Sequence, residues 1–478
     1  GEDITAMAVR DVNSVAANTA GVFQADEGQA TFIRGARSNT TIYFIDGVRV
    51  RGSVNIPQAA IASTTVITGG IPAQYGDATG GVISTTTRGP SPKYFGSVEY
   101  LTSFLFDDYN YHLLGLTGGG PLWKKGDQTK AGFLLAGEFQ MQDDSRPFAV
   151  PVYKVKDDVL ADLKANPVRP AIAGIGVLNR TEFITEDDLT TQQARENARN
   201  WAVRVTGNMN FRLDDNNSKT LAVGGRFNRS QGTNVSFFHS LFNYDNFGEF
   251  INTDWSTFVR FQQAFANSGS EEEESSSLIT NAFYSIQVDY TRNSRLNQDS
   301  RFGDNFFAYG HVGDFTTYQT RLYGFGEDTA KGLTGWRHLL YLDTAVTFNP
   351  SSYNPTLANY TSAFYRFLDE GSIEGSSASR DFLRQGNALI NGDNPASVYN
   401  GLWGNVGAVT TGYNEFQASQ FRVTASSSFN IKDHEIILGF EYEQRIDRSF
   451  AIAPQGLWQQ MFLLQNDHIR ELDFGKPM

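Results

Sequence analysis

The sequence predicts an antiparallel, all-β transmembrane barrel that follows a small N-terminal α+β domain. Three observations predict it: apolar and polar side chains alternate along the strands after residue 92, short and long connections alternate between those strands, and residues 1–92 have a different, Gly-rich texture. The chain has 478 residues, with 46 Gly and 37 Phe, and only 19% of its residues are charged. Soluble domains have about 25% charged residues, so this composition favours a β-rich protein of another class.

Composition and missing motifs exclude several functions. The chain has no Cys, which excludes a disulfide framework, a thiolate metal site and a Cys nucleophile. Its net charge of -13 argues against a nucleic-acid partner, because phosphate binding needs a surplus of Lys and Arg. The nucleophile elbow, the H-E-x-x-H zinc motif and the Walker phosphate loop are missing. We therefore expect no enzyme, no catalytic residues, no cofactor and no metal site.

Residues 1–92 are predicted to form the first element, a compact α+β domain. The Ala- and Val-rich stretch from Ala6 to Val22 suits a small packed helix. Gly-rich turns separate short β-like runs of four to ten residues, as expected for strands joined tightly. The strand candidates are Ala30–Gly35, Thr41–Val50, Thr64–Thr68 and Gly81–Thr87.

Residues 93–478 are predicted to form the N-terminal part of the barrel. Trp201, Val203 and Val205 alternate with polar neighbours. Because successive side chains of a strand point to opposite faces, these three are predicted to face lipid, and Arg204, Thr206 and Asn208 to face the lumen. A soluble β-sandwich would also alternate. Long, regular strands that end in Phe, Tyr or Trp favour the membrane barrel.

The connections between the strands support the same orientation. The connections 214–219 and 432–434 are short, whereas residues 143–199 and 230–277 are predicted to be long loops. Outer-membrane barrels have short periplasmic turns and long extracellular loops, so both long segments are expected outside the cell. Further strands are expected at Asp314–Tyr323 and Leu340–Phe348, but the sequence does not assign their alternate side chains to lipid or to the lumen.

The second predicted loop is rich in aromatic residues. Clustered exposed aromatics indicate a binding surface or a contact with a partner chain. Alternatively, the loop folds on itself around its own small core, and the sequence leaves both readings open. The candidate binding aromatics are Phe237, Phe238, Tyr244, Phe250 and Trp255.

Four strings within residues 22–89 resemble the plug domain of TonB-dependent receptors. They are FIRG, YFIDGVRV, VITGG and YGDATGGVISTTT, at residues 32–35, 43–50, 66–70 and 75–87. They occur in the family's order and spacing, and the style of the last is similar to members from Bacteroidota. The plug-motif residues implied by the resemblance are Arg34, Gly35, Asp46, Gly47, Gly69, Gly70, Tyr75, Gly76, Asp77, Gly80 and Gly81.

The resemblance implies a fold and a location. A complete protein of this kind would have about 22 strands around the plug, of which we count about ten in this chain. The plug, residues 1–92, is expected in the lumen of a barrel in the bacterial outer membrane. The family's TonB box has no candidate within this chain and is expected upstream of Gly1.

The resemblance also implies a function. It predicts a receptor that imports a scarce substrate by energised plug rearrangement, with outer-membrane lipid and a TonB-type energy-coupling protein as partners. A surface lipoprotein or other outer-membrane complex subunits are further candidate partners. The alternative is a plugged barrel that serves as a structural subunit or scaffold of an outer-membrane complex.

The plug charges predict a polar contact with the barrel. Arg34, Arg37, Arg49 and Arg51 lie on or near its strands, and the lumen parity of the barrel offers Glu99, Glu138 and Asp289. We therefore expect the plug to be held by polar contacts and not by an apolar core that it shares with the barrel.

Overall fold

The structure is a computed structural model that describes Ile4, Met7 and residues 9–26, 28–76, 78–146, 148–172, 176–265 and 279–464. In this part of the chain, an N-terminal α+β domain precedes long antiparallel strands. None of the helices among these residues combines the length and the apolar character needed to cross a membrane.

The N-terminal domain is built on a small mixed sheet. The elements are α1 (Val12–Ala17), β1 (Val22–Gln24), β2 (Thr31–Ile33), β3 (Thr41–Ile45), β4 (Val48–Arg49), β5 (Ile61–Ile67) and β6 (Gly81–Thr87). Strands β1 and β2 form a separate antiparallel pair, and the mixed sheet has the order β4-β3-β6-β5 with β3 parallel to β6. Asp11 caps α1 by accepting a hydrogen bond from the Ser14 amide.

The predicted strand 41–50 is a hairpin. Asp46 and Gly47 have φ angles of 52° and 78°, and they connect the paired residues Ile45 and Val48. An Asp-Gly pair with both residues at positive φ forms the two-residue turn that matches the twist of antiparallel strands. The chain therefore reverses at these two residues and projects a tight turn from the domain.

The remaining elements belong to a large sheet and to its connections. The strands are β7 (Phe95–Thr102), β8 (His112–Lys125), β9 (Gln128–Gln142), β10 (Val152–Val155), β11 (Val168–Pro170), β12 (Val177–Asn179), β13 (Leu189–Gln192), β14 (Asn200–Arg212), β15 (Lys219–Asn234), β16 (Gly248–Ala264), β17 (Ile279–Gln298), β18 (Gly313–Asp328), β19 (Leu333–Pro350), β20 (Tyr413–Ile431) and β21 (His434–Ile452). The helices are α2 (Asp157–Ala165), α3 (Pro355–Asp369), α4 (Arg380–Gln385) and α5 (Gly456–Leu464). Short 3-10 turns lie at Ser38–Thr40, Gln58–Ala60, Arg180–Phe183, Glu186–Asp188, Phe237–His239, Tyr244–Asn246 and Phe306–Ala308.

Nine of these strands form one antiparallel sheet, which we call the wall. Its order is β21-β20-β17-β16-β15-β14-β9-β8-β7. Alternate residues face the N-terminal domain: Leu134 and Ala136 pack against Ala60, whereas Leu135 on the other face is 55% exposed. On β14, Thr206 is buried on the inner face and Met209 is 47% exposed on the outer face, in agreement with the predicted parity.

The connections at the two ends of the wall differ in length. At one end, which we call the turn end, residues 126–127, 213–218 and 432–433 are short turns. At the other end, the cap end, residues 143–199 and 299–412 are long: the first carries a helix and short strands, and the second carries two helices and the long strands β18 and β19.

The second predicted loop is shorter than expected. Strand β15 continues to Asn234 and β16 begins at Gly248, so only residues 235–247 connect them. Asp254 and Ser256 are buried on the inner face while Val259 is 46% exposed on the outer face, so the period of two continues through this region. The many aromatic residues in this region obscured the alternation in the sequence. Residues 266–277 of the predicted loop lie outside the described residues.

The long connections fold together into a cap with its own apolar core. We define the cap as residues 143–199, 235–247 and 299–317 together with residues 344–412. Helix α3 buries Leu357, Tyr360 and Phe364 in this core. The buried cluster comprises Val155, Leu160, Leu163, Val168, Val177, Leu241, Phe242, Val312, Val346, Leu357, Tyr360, Ala363, Phe364, Ile373, Leu383, Ala388, Leu389, Val398 and Val406.

Strands β18 and β19 form a separate two-stranded hairpin. Its base is held in the cap, where the rings of Phe315 and Phe348 lie 4.9 Å apart. Both strands expected from the sequence in this region, 314–323 and 340–348, lie in it. Beyond the base, most of its side chains are exposed, including Trp336 at 73%.

Candidate functional site

The N-terminal domain contacts the inner face of the wall through the β3–β4 turn and the residues after it. Arg260 of β16 donates a hydrogen bond to the carbonyl oxygen of Asp46, and Arg422 of β20 donates to that of Gly47. Further along, Arg226 Nη1 of β15 donates to the carbonyl oxygen of Ser53 at 2.5 Å. Three wall arginines therefore hold residues 46–53, which we call the turn segment.

The two arginines at the turn are themselves positioned by wall residues. Arg422 is only 2% exposed, and its Nη2 lies 3.0 Å from Asp289 Oδ2. Arg260 Nε donates to Gln287 Oε1 at 2.7 Å. Buried charges need such partners, because an unpaired charge out of water is costly. Each arginine is thus held so that its Nη2 donates to a backbone carbonyl of the turn segment.

Glycine is required where the turn segment touches the wall most closely. Gly52 has a φ of 98°, and a Cβ there would overlap the Asp254 carboxylate and the Asn293 amide. A Cβ on Gly47, at a φ of 78°, would lie 3.1 Å from Arg260 Nη2. The close approach of backbone to wall therefore depends on missing side chains at these two positions.

A second set of hydrogen bonds connects the turn to strand β6 and then to the wall. Asp46 accepts hydrogen bonds from the Thr87 amide at 2.8 Å and from the Thr87 hydroxyl at 2.7 Å. Burial raises the pKa of Asp46, although these hydrogen bonds and Arg260 oppose the rise. Asn208 Nδ2 donates to Thr87 Oγ1 at 2.8 Å, and the Gln58 amide donates to Glu138 at 3.0 Å.

Ion pairs add contacts at the edges of the interface, with partners that differ from those expected. Arg51 lies 2.9 Å from Asp447 and Arg49 lies 3.8 Å from Glu443, both on β21. The expected acceptor Glu99 pairs with Arg10. The carboxylates of Asp447 and Glu99 are 48% and 46% exposed, so the pairs they form are each worth only about 0–1 kcal/mol.

The expected partners Glu138 and Asp289 also have other roles. Glu138 lies 3.9 Å from Arg10 and 3.6 Å from Arg204, while Asp289 pairs with Arg422 of the wall. Arg34 remains within its own domain, where its guanidinium covers Gly69. Among the described residues, the buried apolar cluster shared by domain and wall has three members, Ala60, Leu134 and Ala136. The interface is therefore mainly polar.

A polar cavity of about 350 Å³ lies beside the turn segment toward the cap end of the wall. The N-terminal domain contributes backbone and short side chains to it, and four wall strands contribute hydrogen-bonding groups. A solute in this cavity would contact both parts of the chain at once. Its lining includes Ser53, Asn55, Asn228, Asn252, Asp254 and Arg295.

The predicted plug-motif residues separate into two groups. Asp46 and Gly47 reach the wall, whereas the other described residues of the set lie within the N-terminal domain. Arg34 and Gly35 form a turn with φ angles of 49° and 77°, and the ring of Tyr75 packs against Phe44 at 5.5 Å. Gly70 has a φ of 63°, Gly80 packs against Thr40, Gly81 packs against Ile33, and the space beside Gly76 is open. Asp77 lies outside the described residues.

The five candidate aromatics do not form one surface. Phe237 is 65% exposed and its ring lies 6.0 Å from that of Trp403 in the cap, while Phe238 packs against His239. Tyr244 lies beneath Lys154, with 5.7 Å between the ammonium and the ring centroid. Phe250 and Trp255 lie on β16, and the Trp255 ring packs against Tyr290 of β17.

Sequence reasoning missed the three arginines that hold the turn segment. Arg226, Arg260 and Arg422 lie at the lumen parity of their strands, which is a signal present in the sequence. Charge on that face is common in barrels, so the parity alone does not distinguish a residue that holds the plug from one that lines the lumen.

His239 makes the cap connection 235–247 sensitive to acid. Burial lowers the pKa of His239, and its Nδ1 lies 3.0 Å from the Asn243 Nδ2 donor, so the ring is held in its neutral form. When the segment opens, His239 is no longer buried, so it takes up a proton at a higher pH than it does in the packed segment. The packing is therefore fully stable above about pH 6.5 and weakens as the pH falls.

We expect proteolysis within 235–247 to accelerate on acidification from about pH 7.5 to about pH 5.5. His239→Gln, which keeps a side chain able to accept from Asn243, should remove most of that dependence. An unchanged pH dependence in the variant would assign the effect to another group.

Comparisons with known proteins place the N-terminal domain in a family. Residues 1–82 match the family model described as TonB-dependent Receptor Plug Domain. No curated protein matches the chain. Among solved structures, the chain is similar to a mutant of the ferric enterobactin receptor PfeA from Pseudomonas aeruginosa, with 14% identity over 94% of this chain and 57% of that one and a TM-score of 0.39.

Two other receptors give similar values. The ferric-catecholate import receptor Fiu from E. coli K12 has 13% identity over 94% of this chain and 59% of its own, with a TM-score of 0.41. The pyoverdine receptor FpvA from Pseudomonas aeruginosa has 12% identity over 93% and 56%, with a TM-score of 0.40. The chain thus spans less than two thirds of the length of these structures.

Proposed function

We propose that this chain, a TonB-dependent receptor of the bacterial outer membrane whose N-terminal domain is the plug, imports a scarce solute by an energised rearrangement of that plug. Receptors of this family are transporters and not enzymes, in agreement with the missing catalytic motifs. The observation that carries the proposal is the chemistry of the plug contact: wall arginines hold the turn segment through its backbone carbonyls.

Such a contact can be opened at low cost. A hydrogen bond from a charged group, such as these arginines, contributes about 1.5–3 kcal/mol net, because water replaces the lost partner when the contact opens. A dry apolar interface would instead cost about 25 cal/mol for each Å² exposed. Since the shared apolar cluster is limited to Ala60, Leu134 and Ala136, a modest pull suffices to loosen the plug.

The polar cavity supplies a way for a solute to act on the same contact. A hydrogen-bonding solute there would touch Ser53 of the plug together with Asn228 and Asn252 of the wall. Ser53 also receives the hydrogen bond from Arg226, so binding would alter the held turn segment directly. A TonB-type energy-coupling protein would then supply the pull from the periplasm.

The proposal is tested by labelling a buried cysteine in living cells. Ala60 is fully buried between plug and wall, and the chain has no Cys of its own. In Ala60→Cys, a water-soluble maleimide should react faster in energised cells than after a protonophore is added or the TonB-type protein is removed. Thr191→Cys, on an exposed position of the cap, should react equally in all three conditions.

Equal labelling of Ala60→Cys in all three conditions would overturn energised rearrangement. It would favour the alternative, a plugged barrel that serves as a scaffold in an outer-membrane complex. Labelling that rises with energy but not with the TonB-type protein would reject that partner.

A further inference from the structure

A second cavity, which we call the rim cavity, lies where the cap meets the cap end of the wall. Its volume is about 470 Å³, and it is lined by the connection 235–247, by the adjoining ends of β15 and β16, and by parts of residues 394–412. The Gly404 amide donates to the Phe238 carbonyl oxygen at 2.6 Å, and the Thr410 hydroxyl donates to that of Asn246 at 2.8 Å. These hydrogen bonds join two sides of the cavity, so the cavity is preformed.

The rim cavity lies on the inner face of the wall. Asn234 of β15 and Gly248 of β16 line it, and they are register partners. Ser230 lies four residues earlier on β15 and lines the polar cavity beside the turn segment. Because four residues is an even number, both positions face inward, and they are about 13 Å apart along the strand at about 3.3 Å per residue. A solute that moves from the cap end toward the plug therefore reaches the rim cavity first.

The lining of the rim cavity carries no fixed charge. Its thirteen lining residues, all in the described part of the chain, include no Asp, Glu, Lys or Arg. His239 is held neutral, because burial lowers its pKa. A charged solute would lose water in this cavity without gaining a partner of opposite charge, which is costly. The cavity therefore favours an uncharged solute.

Several polar groups of the lining are available to such a solute. Ser236 precedes the 3-10 turn Phe237–His239, but its side chain does not cap that turn. Within the described part of the chain, the hydroxyls of Ser236 and Thr411 have no hydrogen-bond partner. His239 Nδ1 accepts from Asn243 Nδ2 at 3.0 Å, so the neutral ring carries its proton on Nε2, where it can donate. The solute is thus offered hydroxyl groups and a ring N–H.

The other lining groups give the rim cavity an apolar side. The Phe238 ring, which is 38% exposed, lines it together with Pro395 and Ala408. A wholly apolar solute would remove water from the lining hydroxyls without replacing its hydrogen bonds. A pyranose ring matches both sides, because its C–H groups form an apolar face and its hydroxyls project from its edge. Apolar or aromatic surface with a few polar groups is also the usual composition of small-molecule sites.

We propose that the rim cavity binds one sugar unit of an uncharged oligosaccharide, with the C–H face of the ring on Phe238 and its hydroxyls on Ser236 and Thr411. This inference deepens the proposed import by naming a class of solute, and its role in import rests on that proposal. Since both cavities lie on the same inner face of β15 and β16, the bound sugar is already aligned with the polar cavity beside the plug.

Binding to the purified chain in detergent tests the class of solute. The probes are immobilised neutral oligosaccharides of glucose, galactose, mannose and N-acetylglucosamine, together with sulfated and uronic acid-containing counterparts. We expect binding to at least one neutral series and weaker binding to its acidic counterpart, because the cavity offers no charge to balance the acid. Binding to none of the neutral probes, or equal binding to the acidic ones, would overturn the proposal.

Variants of the lining locate the bound sugar. Phe238→Leu should weaken binding of the neutral probe by a factor of about 3 to 10, the effect of losing an aromatic contact. Ser236→Ala removes a hydroxyl that the turn does not use, and it should weaken binding by a factor of about 2 to 10. Ser240→Ala is the matched control, because its hydroxyl bonds the Phe237 carbonyl in the same connection and does not line the cavity. It should leave binding unchanged.

Unchanged binding in Phe238→Leu or in Ser236→Ala would overturn the proposed contacts. Equal weakening in Ser236→Ala and Ser240→Ala would assign the effect to the fold of the connection and contradict a sugar in the cavity. If Phe238→Leu does not assemble, the two serine variants decide the outcome.

These binding measurements use no energy source, so they are independent of the labelling of Ala60→Cys. Sugar binding without energy-dependent labelling would reject the import proposal alone. Energy-dependent labelling without sugar binding would reject this inference alone.

Discussion

Val205→Arg is expected to disrupt assembly of the protein in the outer membrane by about 2–4 kcal/mol, the cost of an arginine on the lipid face near the midplane of a barrel. Val205 lies near the middle of β14, with the same parity as the exposed Met209 and the opposite parity to the buried Thr206. The added guanidinium would replace an apolar contact with lipid and would find no water at that depth. Urea titration of the protein folded into lipid vesicles measures the loss.

Two control variants separate charge from crowding. Val205→Leu adds volume without charge and should change the free energy of unfolding little. Asn210→Arg places the same charge on the opposite face of the same strand, where Arg204 already lies 3.6 Å from Glu138. If arginine at positions 205 and 210 had equal effects, the lipid-facing assignment of this face would be wrong.

Arg195→Leu is expected to open the connection 143–199, because it leaves the carboxylate of Asp144 buried without its charge partner. Asp144 is 1% exposed and accepts two hydrogen bonds from the Arg195 guanidinium, at 2.7 and 2.5 Å. Removing one member of a buried pair costs about 3–5 kcal/mol. Hydrogen exchange of the segment 143–199 should therefore accelerate by a factor of about 100 to 1,000 or more, up to the limit set by complete opening.

The neighbouring ion pair provides a matched control. Arg199 Nε lies 2.6 Å from Asp143, but its side chain is 62% exposed. Arg199→Leu should cost only about 0–1 kcal/mol, as exposed pairs do. Equal acceleration in the two variants would mean that burial does not set the strength of the Asp144 contact.

The same pair predicts how this part of the cap responds to acid. Burial opposes ionisation of Asp144, but the hydrogen bonds from Arg195 and Arg146 outweigh it and hold its pKa below the usual range. A carboxyl with a lowered pKa contributes stability that is fully present above about pH 3.9 and is lost as the pH falls through the lower value. The 143–199 connection should therefore tolerate mild acid that already loosens residues 235–247 at His239.

Two features at the plug contact differ in how well the sequence predicts them. The Asp46-Gly47 pair between two β-like runs is a strong local turn signal. The prediction of a single strand over residues 41–50 concealed it. The arginines that hold this turn come from strands more than 200 residues further along the chain. Which lumen-facing charges meet the turn depends on the stagger of strands β16 and β20, and no local pattern contains that stagger.

The cap and the hairpin show the same distinction. The alternation in residues 314–323 and 340–348 was enough to predict strands, because the period of two is a property of neighbouring residues. It was not enough to predict that they would pair with each other outside the wall, since the choice of strand partner depends on edges contributed by distant segments. The aromatic residues 237–265 divided between a cap core and a strand for the same reason: the sequence showed their clustering but not their burial.

From its residues alone, the chain could be identified as a β-rich membrane protein with an N-terminal plug, and the two faces of β14 could be assigned. These properties arise from the spacing of apolar side chains and from short motifs, which act over a few neighbouring residues. Only the three-dimensional structure shows three further features. They are the hydrogen bonds from Arg226, Arg260 and Arg422 to the turn segment, the apolar core of the cap and the position of the hairpin. Each depends on contacts between residues far apart in the chain, and strand register and packing determine which of those contacts form.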